Sequence, residues 1–415
     1  MYAFDRGRLA GLRSLRGRPG TGVAPNVLFL GTTSLLTDLS SEMVASILPI
    51  YLVFSLALSP LQFGLVDGLY KGAAALAGLA GGLWADRWRR HRDVAAAGYG
   101  LSALCKLGLL AAGNAWGLIA ATIALDRVGK GLRTAPRDAL ISLSSPPQQV
   151  GLAFGVHRAL DTAGALLGPL AAFAILSTLP DAYDVVFVTS FFVAVVGLSV
   201  LLLFVRNPAA LPRAVAAAAP PVARTLRELL AQRRFRALLL AGMALALVAV
   251  PDSFLYLLIQ QRAAIPASHF PLLPVATAVG FLLLAIPAGR LGDRIGRAKV
   301  FLLGYGVLLA ACAALLLVAS AAWGGFVALA LLGVHFACTD GVLMATASGL
   351  LPAHQRASGL ALLVTAIGVC RLLASVLFGA AWQHWGMAPA LLASALALAG
   401  VTLAVALGLL RGRAA

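Results

Sequence analysis

Gly82-Leu-Trp-Ala-Asp86-Arg87-Trp-Arg89-Arg90-His91-Arg92 and Gly289-Arg-Leu-Gly-Asp293-Arg294-Ile-Gly296-Arg297-Ala-Lys299 are two versions of one charged stretch, each set between long apolar runs. Their central acids, Asp86 and Asp293, stand 207 residues apart, half of a 415-residue chain. A repeat of that length is the duplication of a whole helical bundle, since solenoid units recur every 20–50 residues or so. Phe63 and Phe270 repeat the same offset. The chain therefore reads as two similar halves, each turned by a short basic loop.

Composition says what surrounds those loops. Apolar residues make up 61% of the chain, charged residues only 11%, and the mean hydropathy is +0.93. A water-soluble domain carries roughly 25% charged residues. The chain is expected to be an integral membrane protein, and its apolar runs are too long and continuous for barrel strands. Cys105, Cys312, Cys338 and Cys370 sit singly inside apolar runs. That pattern suits reduced packing residues and no metal site. With no phosphate-cradling loop, redox pair or nucleophile–base pair, neither an enzyme nor a cofactor-dependent protein is expected.

The net charge of +17 would suit nucleic acid if it were spread at random. It is not. Of 32 Lys and Arg, 23 fall in alternate loops and tails, while the other loops hold Arg262 with Asp181 and Asp184. This is the positive-inside pattern, which places both termini in the cytoplasm and argues against a nucleic-acid partner. The Arg-rich start, Arg6 to Arg18, reads as a cytoplasmic tail rather than a transit peptide.

About 20 apolar residues cross the hydrocarbon as one helix. Runs of that order lie near 27–54, 62–85, 93–113, 115–142, 150–177, 184–205, 237–260, 270–292, 298–319, 323–350, 356–381 and 388–410. The expected fold is all-α, with twelve transmembrane helices in two six-helix bundles, 27–205 and 237–410. A tail (1–26), a linker (206–236) and a short C-terminal tail (411–415) complete the chain. Thr225 to Arg234 in the linker is basic and amphipathic, suited to lie on a membrane surface.

The paired loops resemble the loop between helices 2 and 3 of the major facilitator superfamily, Gly-x-x-x-Asp-Arg-x-Gly-Arg. The second copy keeps Gly289, Asp293, Arg294, Gly296 and Arg297. The first keeps Gly82, Asp86, Arg87 and Arg90 but has Arg89 for the second glycine. The resemblance implies a conformational latch built on these residues, and two bundles that rock about a midplane site. Asp126-Arg127-Val-Gly-Lys130-Gly131 in the fourth span is similar to the proton-antiporter motif Arg-x-x-Gln-Gly, with Lys130 in place of Gln. By that resemblance Arg127 takes part in proton transfer. Gly164-Ala-Leu-Leu-Gly168-Pro169 in the fifth span resembles the antiporter motif Gly-x-x-x-Gly-Pro-x-x-Gly-Gly, with Ala172 and Phe173 replacing its last glycines. Small residues so spaced also let helices pack closely.

Ionisable groups inside spans cost a few kcal/mol on insertion scales and usually face a cavity or a partner. In the first span Ser34, Asp38, Ser41 and Glu42 share one helical face, carrying two carboxylates to mid-membrane. Asp38, Glu42, Asp126 and Arg127 are the candidates for proton coupling, with Asp126 and Lys130 expected to pair one turn apart. Glu42 is expected to meet Arg127 or Lys130, and His157 to pair with Asp161. Arg133, Arg137 and Arg158 are assigned snorkelling or structural ion-pair roles. Substrate-cavity candidates are Ser34, Ser41, Lys130, Asp252, Tyr256, His335, Asp340 and Arg371, with Lys130 and Arg371 expected to lack matched acids. Asp67 and Lys71, one turn apart, gate the outer mouth or neutralise each other.

The expected function is secondary transport of a small organic solute by proton-coupled efflux. The expected setting is the bacterial inner membrane, as a monomer whose partners are protons, substrate and bilayer. The alternatives are proton-coupled uptake of an organic anion, and a membrane sensor of the same fold that moves nothing.

Overall fold

The computed structural model describes residues 23–73, 90–146, 149–207, 222–318, 321–352 and 355–414. Within them the chain is helical throughout its spans. In the first half, α1 (Pro25–Ile50) runs on through a wide helical turn, Tyr51–Ser55, and α2 covers 60–73. Then come α3 (His91–Ala112), α4 (Trp116–Leu143), α5 (Val150–Thr178) and α6 (Tyr183–Phe204). The linker helix is α7, Val222–Ala231. The second half holds α8 (Arg233–Val248), α9 (Asp252–Arg262), α10 (Leu272–Ile295), α11 (Arg297–Leu317), α12 (Ala321–Leu350), α13 (Arg356–Trp385) and α14 (Met387–Ala414). Counting α8 and α9 as one broken span, these are the twelve spans of a two-times-six helical membrane protein. Ten are long and apolar enough to cross a bilayer on length and composition alone. The others are α2, described only in part, and α4, which carries Asp126, Arg127, Lys130, Arg133, Arg137 and Asp138.

The seventh span breaks because Ala249 and Pro251 are extended, with ψ of 136° at both. Pro251 has no N–H to continue the ladder, and the residue before a proline is pushed out of the helical region. The linker helix occupies Val222–Ala231 and stops short of the expected Arg234, where the chain turns into the seventh span. The last helix continues to Ala414, past the expected end at residue 410.

Helix association in lipid depends on close packing, since tails are as apolar as leucine. In the first half α1 packs on α5 and α6, and α3 on α4. A Cβ on Gly164 would run into the Leu35 carbonyl, and one on Gly168 would lie 2.7 Å from Leu39 O and 2.8 Å from Glu42 Cβ. The glycine pair of α5 thus lets α1 approach to backbone contact and sets the position of Glu42. Ser40 and Ser190 tie α1 to α6, each hydroxyl donating to the other's carbonyl at 2.7 Å. In the second half Gly280 of α10 meets Gly333 of α12 in the same way, a Cβ on either coming within 3.2 Å of the other's Cα. Outward-facing side chains such as Leu203, Leu283 and Leu317 are 71–80% exposed, as apolar residues facing lipid are. Gly164→Leu is expected to separate α1 from α5 and to lower stability by about 1–3 kcal/mol, read as earlier thermal unfolding in detergent.

The two halves meet at the end of the bundle away from the basic loops, here the far end. Phe63 of α2 stacks edge-on against Phe254 of α9 at 4.7 Å, which in turn contacts Phe378 and Trp382 of α13. A Cβ on Gly64 would fall 2.5 Å from Ser375 O, and one on Gly379 would strike the Pro60 carbonyl. Phe173 of α5 packs on His269, in the turn before α10, at 5.2 Å. These contacts close the far end and place a cavity beneath it.

Candidate functional site

The cavity has a volume of about 240 Å³. Its polar lining is Tyr70, Lys71, Asp252, Tyr305, His335 and Arg371, set among Val250, Leu255, Leu308, Leu332 and Phe336. The break in the seventh span makes Asp252 the first residue of α9, where free N–H groups and the helix dipole favour an anion. Lys71 Nζ donates to Asp252 at 2.5 Å and to Asp67 at 2.8 Å. Asp67, buried, also accepts from Ser253 at 2.5 Å and from Ser375 at 2.6 Å. One carboxylate of α2 thus gathers α9 and α13. Asp67 and Lys71 do neutralise each other, as their spacing suggests, but the pair is also a clasp between the halves. No local pattern signals that, because its partners lie 181 to 308 residues away.

Several cavity expectations are revised. Arg371 is not an unmatched cation: Asp340 lies 3.6 Å away, both side chains half-exposed. Lys130 is likewise matched, by Glu42 at 3.9 Å. Tyr256 does not line the cavity; it is buried behind it, its hydroxyl 2.7 Å from Thr277 Oγ1 on α10. His335 does line it, while its Nδ1 bonds the Gly304 carbonyl at 2.8 Å and so holds the ring in one orientation.

The polar face of α1 meets α4 as an antiparallel ladder. Ser34 accepts from Arg137 at 3.1 Å, Asp38 from Arg133 at 3.1 Å, and Glu42 faces Lys130 at 3.9 Å. Residues four apart on α1 therefore oppose residues three and four apart on α4, the match expected of two helical faces. Arg133 and Arg137 are buried rather than snorkelling, and the Arg133 guanidinium lies over the Tyr99 ring at 4.5 Å. Arg137 also reaches Asp138 at 3.1 Å and Asp161 at 3.5 Å, with Arg158 joining Asp161 from α5 at 3.5 Å. His157 does not pair with Asp161; its Nε2 is buried without a hydrogen-bond partner among the described residues. Ser34 belongs to this ladder and not to the cavity wall.

Asp126 does not pair with Lys130. It is bonded by Arg127, its neighbour, and by Lys106 of α3 at 3.2 Å. The Arg127 guanidinium covers the Tyr70 ring at 4.0 Å. Lys106 reaches Asp126 because α3 and α4 pack through Gly98 and Gly129, where a Cβ on either would come within 2.7 Å of the other's carbonyl. Ser41 faces this cluster and not the large cavity.

Of the two loops, Gly82, Asp86 and Arg87 lie outside the described residues, and Arg90 forms an ion pair with Asp93 at 3.4 Å. In the second, Asp293 accepts from Arg297 at 2.9 and 3.0 Å, and Arg297 Nη1 donates to the Ala345 carbonyl at 3.0 Å. The carboxylate so braces an arginine that spans from α10 to α12. Gly296 has φ +103°, a conformation that side chains other than glycine rarely adopt. Gly289, by contrast, has open space where a Cβ would stand, so no close approach explains it. Arg294 is exposed.

A family model described as Major Facilitator Superfamily matches residues 30–273. An uncharacterised MFS-type transporter of Methanocaldococcus jannaschii is 30% identical over 375 residues, covering 87% of this chain and 89% of that protein. An uncharacterised protein of Mycobacterium tuberculosis is 36% identical over 166 residues, 40% of each chain. Among solved structures, the nucleoside transporter NupG superposes with a TM-score of 0.75 at 15% identity, covering 92% of this chain and 98% of that one. A D-xylose-proton symporter gives 0.71 at 15%, over 91% and 95%. At such identities the structural likeness speaks to fold alone.

Proposed function

The chain belongs to the major facilitator superfamily, whose members are membrane transporters, and we propose that it exports a small organic solute in exchange for protons. The observation that carries this reading is the contrast within the first half. Among described ion pairs joining two of its spans, Asp38–Arg133, Asp126–Lys106 and Asp161–Arg137 each have a partner less than a tenth exposed. Glu42–Lys130 is the longest at 3.9 Å, and both side chains are about a third exposed. Glu42 is the carboxylate that water reaches and that its cation holds most loosely. Withdrawal of Lys130 as the halves rock would favour protonation of Glu42, and its return would favour release.

The basic loops put the end of the bundle near both termini in the cytoplasm. On that assignment the far-end contacts close the outer face, and Glu42 would exchange its proton with the inner side. Asp293 with Arg297 would latch one of the two states, and the linker with α7 would lie along the inner leaflet between bundles 27–205 and 237–410. The anion-uptake alternative loses its main support, because Lys130 and Arg371 both have acids. The test is flux in proteoliposomes with an imposed pH gradient of either sign and a panel of neutral, cationic and anionic solutes. Accumulation that follows the proton gradient in exchange supports the reading; flux indifferent to pH gradients of both signs would overturn it.

The Asp67–Lys71–Asp252 clasp would stabilise the state closed at the far end. Asp252→Asn keeps the Asp67–Lys71 pair and removes the charge that binds it to α9. Spin labels at positions 59 and 384, one on each half, are expected to show a larger population of long distances in that variant. An unchanged distribution would dismiss the clasp as a gate.

A further inference from the structure

A second, smaller void of about 20 Å³ lies between α1, α2, α3 and α4, on the other side of Tyr70 from the large cavity. That is room for one water-sized solute. Its polar walls are Lys106, Arg127, Asp126, Tyr70, Ser41 and Thr122. We propose that this void binds a monovalent inorganic anion of halide size, held between Lys106 and Arg127.

Two independent observations point there. The first is charge. Lys106 and Arg127 are only 3% and 4% exposed, and one carboxylate, Asp126, serves both. Glu42, the nearest other acid on α1, is engaged by Lys130. One positive charge is thus left over in a low-dielectric interior, where an uncompensated ion costs several kcal/mol. A water molecule would not offset it; an anion would. The second observation is the hydroxyl groups. Ser41 and Thr122 are 4% and 6% exposed, and among the described residues neither side chain has a hydrogen-bond partner, nor does the Tyr70 hydroxyl. Buried hydroxyls are rarely left so. Lys106 gives two of its three N–H groups to Ser102 O and Asp126, and Arg127 gives Nε and Nη2 to Asp126, so each cation keeps donor capacity. Two cations and three hydroxyl donors around a single-solute void, with apolar Val44, Leu48, Leu109 and Ile123 behind them, make a site for a small anion that sheds its water easily.

The test uses the full-length protein in detergent, with chloride exchanged for gluconate at constant sodium and ionic strength. Chloride and bromide are expected to raise the thermal midpoint saturably, and ³⁵Cl resonance broadening is expected to report binding directly. Lys106→Met leaves Arg127 paired with Asp126 and should abolish both signals. Thr122→Val alters no charge and nearly no volume, and it removes one donor to an anion. It should raise the half-saturating chloride concentration by about tenfold or more. Equal midpoints in chloride and gluconate with no broadening would overturn the site, leaving a void that holds water. Half-saturation unchanged in Thr122→Val would place the anion elsewhere. Neither readout depends on transport, so they stand apart from the proton-exchange reading.

Discussion

Glu42→Gln is expected to reduce pH-driven accumulation to unity. A one-to-one exchange sustains about tenfold accumulation per pH unit, since each unit is worth about 1.4 kcal/mol. A two-unit gradient should therefore give about hundredfold accumulation with the wild-type protein and none with the variant. Glutamine keeps the size and the hydrogen-bonding reach toward Lys130, so solute binding and downhill exchange should survive. Gly168 presses on Cβ of residue 42 and leaves the side chain beyond it free to move. The measurement is solute uptake into proteoliposomes under an imposed gradient, paired with binding in detergent. Hundredfold accumulation by Glu42→Gln would remove the carboxylate from the coupling mechanism. Loss of binding along with accumulation would place Glu42 in the solute site instead.

Asp38→Asn should fail differently, by unfolding. Asp38 lies one turn from Glu42 on the same face, yet its partner Arg133 is 2% exposed and 3.1 Å away. Removing the carboxylate strands a guanidinium in the core of the bundle. Breaking a buried pair from one side typically costs 3–5 kcal/mol. A fall of that size in stability, measured as a large drop in thermal midpoint and folded yield, is expected. Asp38→Asn with Arg133→Met removes both charges and should recover most of the loss, because apolar pairs of similar volume replace buried ion pairs well. A single variant as stable as the wild type would mean that Arg133 finds another acid, Asp161 being the candidate.

The class of the protein was legible in the sequence alone. Apolar run length, the alternation of basic loops and the 207-residue repeat from Asp86 to Asp293 are properties of the chain order, and a bilayer allows few solutions to them. The polar face of α1 and the glycine pair of α5 were legible too, because a helix maps spacing directly onto a face. Pairing across helices was not. Asp126 has a cation one residue away and another one turn away, and nothing local says that Lys106, 20 residues earlier, would claim its second oxygen. Arg133 and Arg137 look like snorkelling groups from their place near a helix end. They turn inward because α1 lies against α4 with Asp38 and Ser34 in register. Lys130 and Arg371 look like free cations until folding brings Glu42 and Asp340 beside them. The chain order dictates which residues share a helical face. Which faces meet, and so which charges are left over at Lys106 and Arg127 or shared at Lys71, depends on the rotation and depth of each helix. Those are set by packing among all twelve spans, a sum over distant contacts that no local stretch of sequence contains.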